Sequence, residues 1–372
     1  MNQERISGQG AQDRRRFPVF AMVFFGIAVV AGACYIGFLC SETFSDLFNQ
    51  RISWLIRGAL AHMTSWIPCS LAECLLLLMP VLLIALTVYG SKRFTDSWWD
   101  LWIYCGSILS VGALLFSVFT FGFAPAYRGS RLDVKLGLTR RDVTAEELYD
   151  TALILTERLA AEQGNVVYSF ATDFSIMPYN YSGMNDRLLA AYDDICDEYA
   201  FVPRLNSRIK PVMLSEAMSY THITGVYTFF TGEANLNIAF PDYTLPYTAA
   251  HELAHQRGIA REDEANFMAF LVCQSSEDAY VRYSGYMNLL EHVLSALYTA
   301  SPTLYRQACL SLPSGVIREM NAFSDFFEPY RDSVASDVSG TVNNTFLTMH
   351  GTEGTRSYGM VVDLAVAYFA ED

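Results

Sequence analysis

Hydrophobic residues are distributed unevenly along this chain. Three long apolar runs lie in its first third, at about residues 17–40, 67–90 and 101–125, and the first of them carries no charged residue. A helix needs about 20 apolar residues to cross the hydrocarbon core of a bilayer. The pattern therefore predicts a membrane module at residues 1–127, with the lipid bilayer as its partner, followed by a globular domain at residues 128–372.

Between the first two runs, apolar residues recur at helical spacing. This spacing predicts an amphipathic helix at about residues 44–62, which either lies on the membrane or packs under the globular domain. At the start of the second run, Ser70 and Glu73 are typical of a capping box. A functional acid within the membrane is the less favoured interpretation of Glu73. The apolar residues of the amphipathic pattern are Phe44, Leu47, Phe48, Ile52, Leu55, Ile56 and Leu60.

The globular domain has mostly helical periodicity. Thr144 and Glu147 form a second capping-box pattern, and a short sheet is expected at Gly225–Phe240, which is rich in aromatic residues and interrupted by Gly. The polar segment 331–356 predicts a loop. The overall expectation is a mainly α protein with a small β-sheet beside the helix that carries the chemistry. Further helices are expected at about Asn185–Ala200, Leu245–Gly258, Asp263–Cys273, Tyr286–Tyr298 and Tyr358–Phe369.

Composition and charge exclude several classes of function. The chain has 372 residues, 52% of them hydrophobic, and a net charge of −14, so nucleic acid is not an expected partner. Its eight Cys form no CxxC pair, which argues against a disulfide scaffold or a zinc ribbon. Basic residues flank the first run and follow the second. The positive-inside rule therefore predicts that these flanks are cytoplasmic and that the globular domain is extracytoplasmic.

The strongest chemical signal is His251-Glu252-Leu253-Ala254-His255. Two His four residues apart lie on one helix face, so both imidazoles can bind a single Zn²⁺. Glu252 then lies beside the open coordination position, where it can take a proton from zinc-bound water. The alternative is a helix with two surface His and a salt-bridging Glu.

A catalytic zinc site needs a third protein ligand. Glu262 is the expected ligand, and Asn266, one turn later, is expected to hold a ligand His through its other ring nitrogen. Glu264 is the reserve ligand. These acids would otherwise be favoured simply by the N-terminal dipole of their helix.

Three other residues are candidates for the cleft. Glu233 and Asn235 lie in the expected sheet, whose edge could pair with an extended substrate, and both are predicted to bind substrate. Tyr358 is a candidate to donate a hydrogen bond to the oxyanion of the transition state. Turn and edge-strand polar groups, and an ordinary tyrosine, are the alternatives.

HExxH followed by E-x-x-A-N resembles the gluzincin metallopeptidases, in which two His and the later Glu bind zinc. The whole chain also resembles the bacterial multi-pass membrane family catalogued as domain of unknown function 3810, in its three spans, in Thr231-Gly-Glu-Ala-Asn235, in HELAHQRGIAREDEANF and in the segment from Gly354 to Gly359. The resemblance implies a zincin-like domain in the bacterial cell membrane. Only six residues separate His255 from Glu262, and Asn266 stands where Asp is commoner, so Glu264 stays open as the third ligand.

These observations predict a membrane-anchored zinc metalloendopeptidase with one Zn²⁺ per chain, acting on peptides or envelope proteins, with Glu252 as general base. The alternative is a non-enzymatic binding or sensing protein with a structural or vestigial zinc site. A structural site needs no base, so Glu252 favours the enzyme.

Overall fold

The computed structural model describes residues 17–93, 98–352 and 360–370. The N-terminal part is helical, and a π-helical turn, Asn49–Ser53, joins its second and third helices. Three of these helices are long and apolar enough to cross a membrane, which fits a membrane protein and confirms the three predicted runs. The helices are α1 (Val19–Cys40), α2 (Glu42–Phe48), α3 (Trp54–Ser65), α4 (Leu71–Arg93) and α5 (Trp98–Gly122).

The three long helices do not form a tight bundle. α1 packs along α5, whereas α4 makes few contacts with α5. One of these contacts is the hydrogen bond that the Tyr104 hydroxyl donates to the Leu86 carbonyl oxygen at 2.6 Å. Most apolar side chains of α4 are exposed, as expected for a helix whose neighbours are lipid chains.

The segment between α1 and α4 packs against the globular domain, and the side chains that face the domain are mainly polar. Ser53, Arg57 and Thr64 are buried there, while Ile52 and Leu55 are exposed. This is the reverse of a surface helix in a soluble protein, whose apolar face is the buried one. The predicted amphipathic helix is therefore present, broken at the π-helical turn, and it contacts the domain while its apolar side faces outward.

The globular domain is built on a core of buried helices beside a small sheet. The sheet order is β1-β3-β2, in which β1 is parallel and β2 antiparallel to β3, so β2 is an edge strand. The strands are β1 (Lys210–Pro211), β2 (Gly225–Thr228) and β3 (Glu233–Leu236), and the helices are α6 (Leu132–Leu136), α7 (Ala145–Glu162), α8 (Tyr181–Glu198), α9 (Ser215–Ser219), α10 (Leu245–Gln256), α11 (Glu262–Ser275), α12 (Ala279–Ala300), α13 (Pro302–Ser311), α14 (Ser314–Phe327), α15 (Val334–Met349) and α16 (Val361–Phe369).

Helix α10 lies at the centre of the domain. This helix packs against α11, against α12, and against strands β2 and β3, and every one of its residues is buried. The capping box at Thr144 is present at the start of α7, and Leu155 and Leu159 of that helix are fully buried. The expected mainly α architecture with a small sheet beside the HExxH helix is confirmed.

The segment predicted as a loop at 331–356 contains a helix instead. α15 covers Val334–Met349, and the Ser333 side chain accepts a hydrogen bond from the Ala335 N–H at its start. The polar composition hid an apolar residue every four positions, at Val334, Val338, Val342 and Phe346. This spacing marks one helix face, so the prediction of a loop was wrong.

Candidate metal centre

α10 ends in a turn that brings the next helix back to it. Gly258 has φ +89°, and its N–H donates to the carbonyl oxygen of His255 at 2.9 Å. Only glycine adopts this left-handed conformation without strain. The turn directs α11 so that its first residue, Glu262, faces the His residues of α10.

The structure brings His251, His255 and Glu262 together. One potential ligand atom from each lies within 4.8 Å of the others. The Glu262 Oε2 atom is 3.2 Å from His251 Nε2 and 3.6 Å from His255 Nε2. Metal–ligand bonds of about 2.0–2.1 Å in a tetrahedral site place neighbouring ligand atoms roughly 3.3 Å apart. These three side chains therefore fit a single zinc ion.

A backbone contact fixes the orientation of His255. Its Nδ1 atom lies 2.7 Å from the carbonyl oxygen of Ile259, which can only accept a hydrogen bond. Nδ1 therefore donates to that oxygen, and Nε2 is the ring nitrogen on the side of Glu262. Metal-binding His residues are commonly oriented by such a contact at the second ring nitrogen.

Burial and charge act in opposite directions on these groups. Burial disfavours the charged form of His255, but attraction to the Glu262 carboxylate outweighs it and raises the His255 pKa to about 9. The same pairing outweighs burial at Glu262 and holds the pKa of that carboxyl well below its usual value. Glu262 is thus an ionised acid in a buried place, which is the form that binds a cation.

Glu252 lies beside this group but outside the set of ligand atoms. Its carboxylate is buried, and its Oε2 atom has no hydrogen-bond partner among the described residues. Burial raises the Glu252 pKa, while the neighbouring His251 and His255 and the backbone N–H of Tyr227 act against that rise. An acid with a raised pKa beside a candidate metal site is suited to proton transfer.

Strand β2 packs against Glu252 through a glycine that sequence reasoning missed. A Cβ atom on Gly225 would lie 2.6 Å from Glu252 Oε1 and 2.7 Å from its Cγ. No side chain fits there, so only glycine lets the strand approach the carboxylate this closely. The sequence gives no local sign of this contact, because 27 positions separate the two residues.

The reserve ligand Glu264 faces away from the His pair. Its Oε1 atom accepts hydrogen bonds from the Leu132 N–H at 2.9 Å and from Arg261 Nη1 at 3.0 Å. Among the described residues it does not join the group of potential ligands. The structure therefore favours Glu262 over Glu264.

Asn266 does not make the contact expected of it within the described residues. The second ring nitrogen of His255 is taken by Ile259, and both His251 Nδ1 and Asn266 Nδ2 are buried without a hydrogen-bond partner there. The backbone carbonyl of Asn266 accepts a hydrogen bond from the Tyr247 hydroxyl at 3.0 Å. The sequence pattern could not foresee that the turn after α10 supplies its own acceptor.

Glu233 and Asn235 do not line a substrate cleft. The Glu233 carboxylate forms an ion pair with Lys210 at 2.6 Å and accepts the N–H groups of Leu71 and Ala72 at 3.1 and 3.0 Å. The Asn235 amide is buried and donates to the Val226 carbonyl at 3.1 Å. The structure thus places both polar groups in contacts inside the protein, away from a role at an open edge.

Tyr358, the candidate oxyanion donor, and the Gly354–Gly359 segment around it lie outside the residues that the structure describes. The prediction for Tyr358 stays a prediction. The described part of the site is formed by α10, the start of α11 and strand β2.

A model of a protein family, described as protein of unknown function (DUF3810), matches residues 48–366. The chain belongs to this family. No curated protein and no solved structure matches the chain. The DUF3810 match begins at the end of α2, so it includes both the HExxH region and most of the membrane module.

In this DUF3810 protein a buried arginine joins the membrane module to the end of α10. Arg57 of α3 is only 1% exposed. Its Nε donates to the Gln256 carbonyl oxygen at 2.9 Å, and its Nη1 donates to the Gly122 carbonyl oxygen at 2.7 Å. The terminal carbonyls of a helix have no partner within it, and one guanidinium satisfies carbonyls at the ends of both α10 and α5.

Asn49 completes this junction. Its side-chain oxygen accepts a hydrogen bond from Arg57 Nη1 at 2.8 Å, and its amide nitrogen donates to the Gly258 carbonyl oxygen at 3.1 Å. Sequence reasoning missed both residues, although an Arg within an apolar helical pattern is a usable signal. Buried charges are rare unless they have partners.

Aromatic residues extend the junction to His251, His255 and Glu262, the candidate metal-ligand group. The ring of Phe123, the first residue after α5, lies 6.2 Å from the ring of His255 and 5.2 Å from the ring of Tyr227. Phe119, in the last turn of α5, is 5.2 Å from Phe229. The end of a candidate membrane span thus packs directly on the candidate metal site and on strand β2.

Proposed function

We propose that this DUF3810 protein is a membrane-anchored zinc metallopeptidase that hydrolyses peptide bonds. The observation that carries the proposal is the gathering of His251, His255 and Glu262, with ligand atoms within 4.8 Å of one another, next to a buried Glu252. Two neutral imidazoles and one carboxylate are a common protein ligand set of catalytic zinc.

His251, His255 and Glu262 would hold the ion. Zinc at such a site supplies Lewis acidity toward a carbonyl oxygen and toward water. Glu252 receives the proton of the attacking water at its unpartnered Oε2 and later gives it to the leaving amine. Gly225 allows strand β2 to hold that carboxylate in place from the other side.

The rival function is a binding or sensing protein with a structural zinc site. Structural zinc sites are almost always closed by four protein ligands. Within the described ranges the group contains three potential ligands, which leaves a position for water or substrate. A structural site also gives no reason to bury the carboxylate of Glu252 beside it.

The proposed location is a cell membrane, with the catalytic domain on the extracytoplasmic side. If the three apolar helices cross the bilayer, Lys92 and the start of α1 lie on the side opposite the domain, and α1 follows Arg14, Arg15 and Arg16 in the sequence. Peptides or proteins of the envelope are the substrates that such a domain would meet.

The first test is the metal content of the detergent-purified protein together with its peptidase activity. Wild type is expected to hold about one zinc per chain, His251→Ala to lose it, and Glu252→Gln to keep it while losing at least about 100-fold in kcat. Elemental analysis and a fluorogenic peptide library measure the two quantities. Cleavage by Glu252→Gln at the wild-type rate would refute the role of the base.

The second test separates the two candidate acids. Glu262→Gln is expected to weaken zinc binding by at least tenfold, because a neutral amide replaces the ionised ligand. Glu264→Gln is the matched control: it lies two residues away on the same helix, and its carboxylate contacts Leu132 and Arg261. Zinc competition with a chromogenic chelator measures both affinities. A larger loss in Glu264→Gln would transfer the third-ligand role to that residue.

A further inference from the structure

The ends of α5 indicate where the bilayer lies relative to the metal-ligand group. Trp98, Trp99 and Trp102, at its start, are 79%, 66% and 69% exposed, as in the aromatic belt at a membrane interface. The helix rises about 1.5 Å per residue, so a hydrocarbon core of about 30 Å that begins near Trp102 ends near Gly122. Trp66, 79% exposed at the end of α3, fits the interface on this side.

The metal-ligand group lies close to that second interface. Phe123 directly follows α5, and its ring is 6.2 Å from the ring of His255. α10 also points its carboxyl end toward the membrane module, since Gln256 and Gly258 are the residues that Arg57 and Asn49 hold. The group is therefore on the order of 10 Å from the hydrocarbon edge, within or just above the headgroup layer.

This height is fixed by packing. Arg57 links the carbonyl oxygens of Gln256 and Gly122, so it ties the end of α10 to the end of α5. At a second place, Glu73 of α4 accepts the N–H groups of Met213 and Leu214, both at 2.8 Å. Two of the three candidate spans are thus hydrogen-bonded to the domain. These bonds hold the domain against the membrane module, whereas a domain on a flexible tether could move away from the bilayer.

We infer that the substrate is a juxtamembrane segment, a stretch of polypeptide within a few residues of its own membrane span or lipid anchor. The inference rests on the proposed peptidase function and adds the substrate class. An extended chain advances about 3.3 Å per residue, so a scissile bond about 3–8 residues from the membrane reaches a site at this height. A peptide confined to the same membrane also meets the site at a higher effective concentration than a free one.

The test uses the full-length protein in phosphatidylcholine vesicles. The probe is a pool of single-span polypeptides, each with an apolar span followed by a randomised, unstructured segment of about 30 residues, reconstituted in the same vesicles. The same segments without the span, at equal bulk concentration, form the soluble pool. Mass spectrometry locates every cut, and Glu252→Gln is run in parallel to identify cuts made by the site.

We expect cuts to cluster within about ten residues of the span, and the anchored pool to be cleaved at least tenfold faster than the soluble pool. Cuts that vanish in Glu252→Gln but spread evenly along the segment, or begin only beyond about 15 residues, would overturn this inference and leave the peptidase function standing. Equal rates for the two pools would do the same. No cut above the Glu252→Gln background in either pool would overturn both.

Discussion

At Gly225 an added methyl group would test the geometry around the base. The three nearest contacts of such a methyl group all belong to Glu252, because a Cβ atom would meet its Oε1, Cγ and Cδ atoms at 2.6–2.9 Å. We expect Gly225→Ala to lower kcat by about 100-fold, since a displacement of about 1 Å at a reacting group costs this much, while zinc content stays at the wild-type level. Peptidase kinetics and elemental analysis measure the two effects.

Gly164→Ala is the matched control for that substitution. Gly164 lies in the globular domain, and a Cβ atom there would meet nothing within 4 Å, so kcat is expected to stay within twofold of wild type. Wild-type kcat in Gly225→Ala would show that Glu252 is not held by β2. Loss of zinc in that variant would mean that the strand supports the ligands rather than the base.

At the residue scale, the sequence predicts what lies close along the chain. His251 and His255 are one turn apart on one helix, so their common face follows from helical periodicity alone. Glu262 needs the additional turn at Gly258, which the glycine itself indicates. The Gly225–Glu252 packing and the fate of Glu233 depend on contacts between distant segments. No local pattern carries such contacts, so the ion pair of Glu233 with Lys210 could not be predicted.

At the scale of elements, two carboxylates link α4 to the globular domain: one belongs to the domain and accepts hydrogen bonds from α4, and the other belongs to α4 and accepts hydrogen bonds from the domain. Glu233 of β3 accepts the N–H groups of Leu71 and Ala72 at the start of α4, and Glu73 of α4 accepts N–H groups just before α9. Ser70 caps the Glu73 N–H at 3.0 Å, which is half of the predicted capping box. The carboxylate does not return to Ser70, because the domain offers it two backbone N–H donors.

Glu233→Gln tests this fastening. The substitution leaves the Lys210 ammonium buried without its carboxylate at 2.6 Å, and breaking a buried ion pair from one side costs about 3–5 kcal/mol. We expect the free energy of unfolding to fall by about that much, and the double variant Glu233→Gln/Lys210→Met to recover part of the loss. Thermal unfolding in detergent measures all three proteins.

The control for that pair is Glu328→Gln, which removes an exposed ion pair with Arg331 at 2.8 Å. Exposed pairs contribute about 0–1 kcal/mol, so this variant is expected to unfold almost as wild type does. A similar small effect in Glu233→Gln would contradict the proposed link between α4 and β3.

At the scale of the whole molecule, the membrane module and the domain share their buried polar groups. Periodicity predicts the spans, the mainly helical domain and the HExxH helix, because each depends on neighbours along the chain. It does not predict that α3 turns its polar face inward, since that face becomes favourable only when carbonyl oxygens from α5 and α10 are there to meet it. The module is therefore part of the candidate site's framework as well as an anchor.

Arg57 is where this shared framework can be broken. Arg57→Met leaves the carbonyl oxygens of Gln256 and Gly122 without their donor, and each unsatisfied buried group costs about 1–3 kcal/mol. We expect zinc affinity and the free energy of unfolding both to fall, and Arg57→Lys to restore only part, because an ammonium cannot reproduce the fork of donors. Arg51→Met, at an exposed position six residues earlier, is the control. Zinc titration and thermal unfolding decide the matter: wild-type values for Arg57→Met would mean that the end of α10 holds its position without the membrane module.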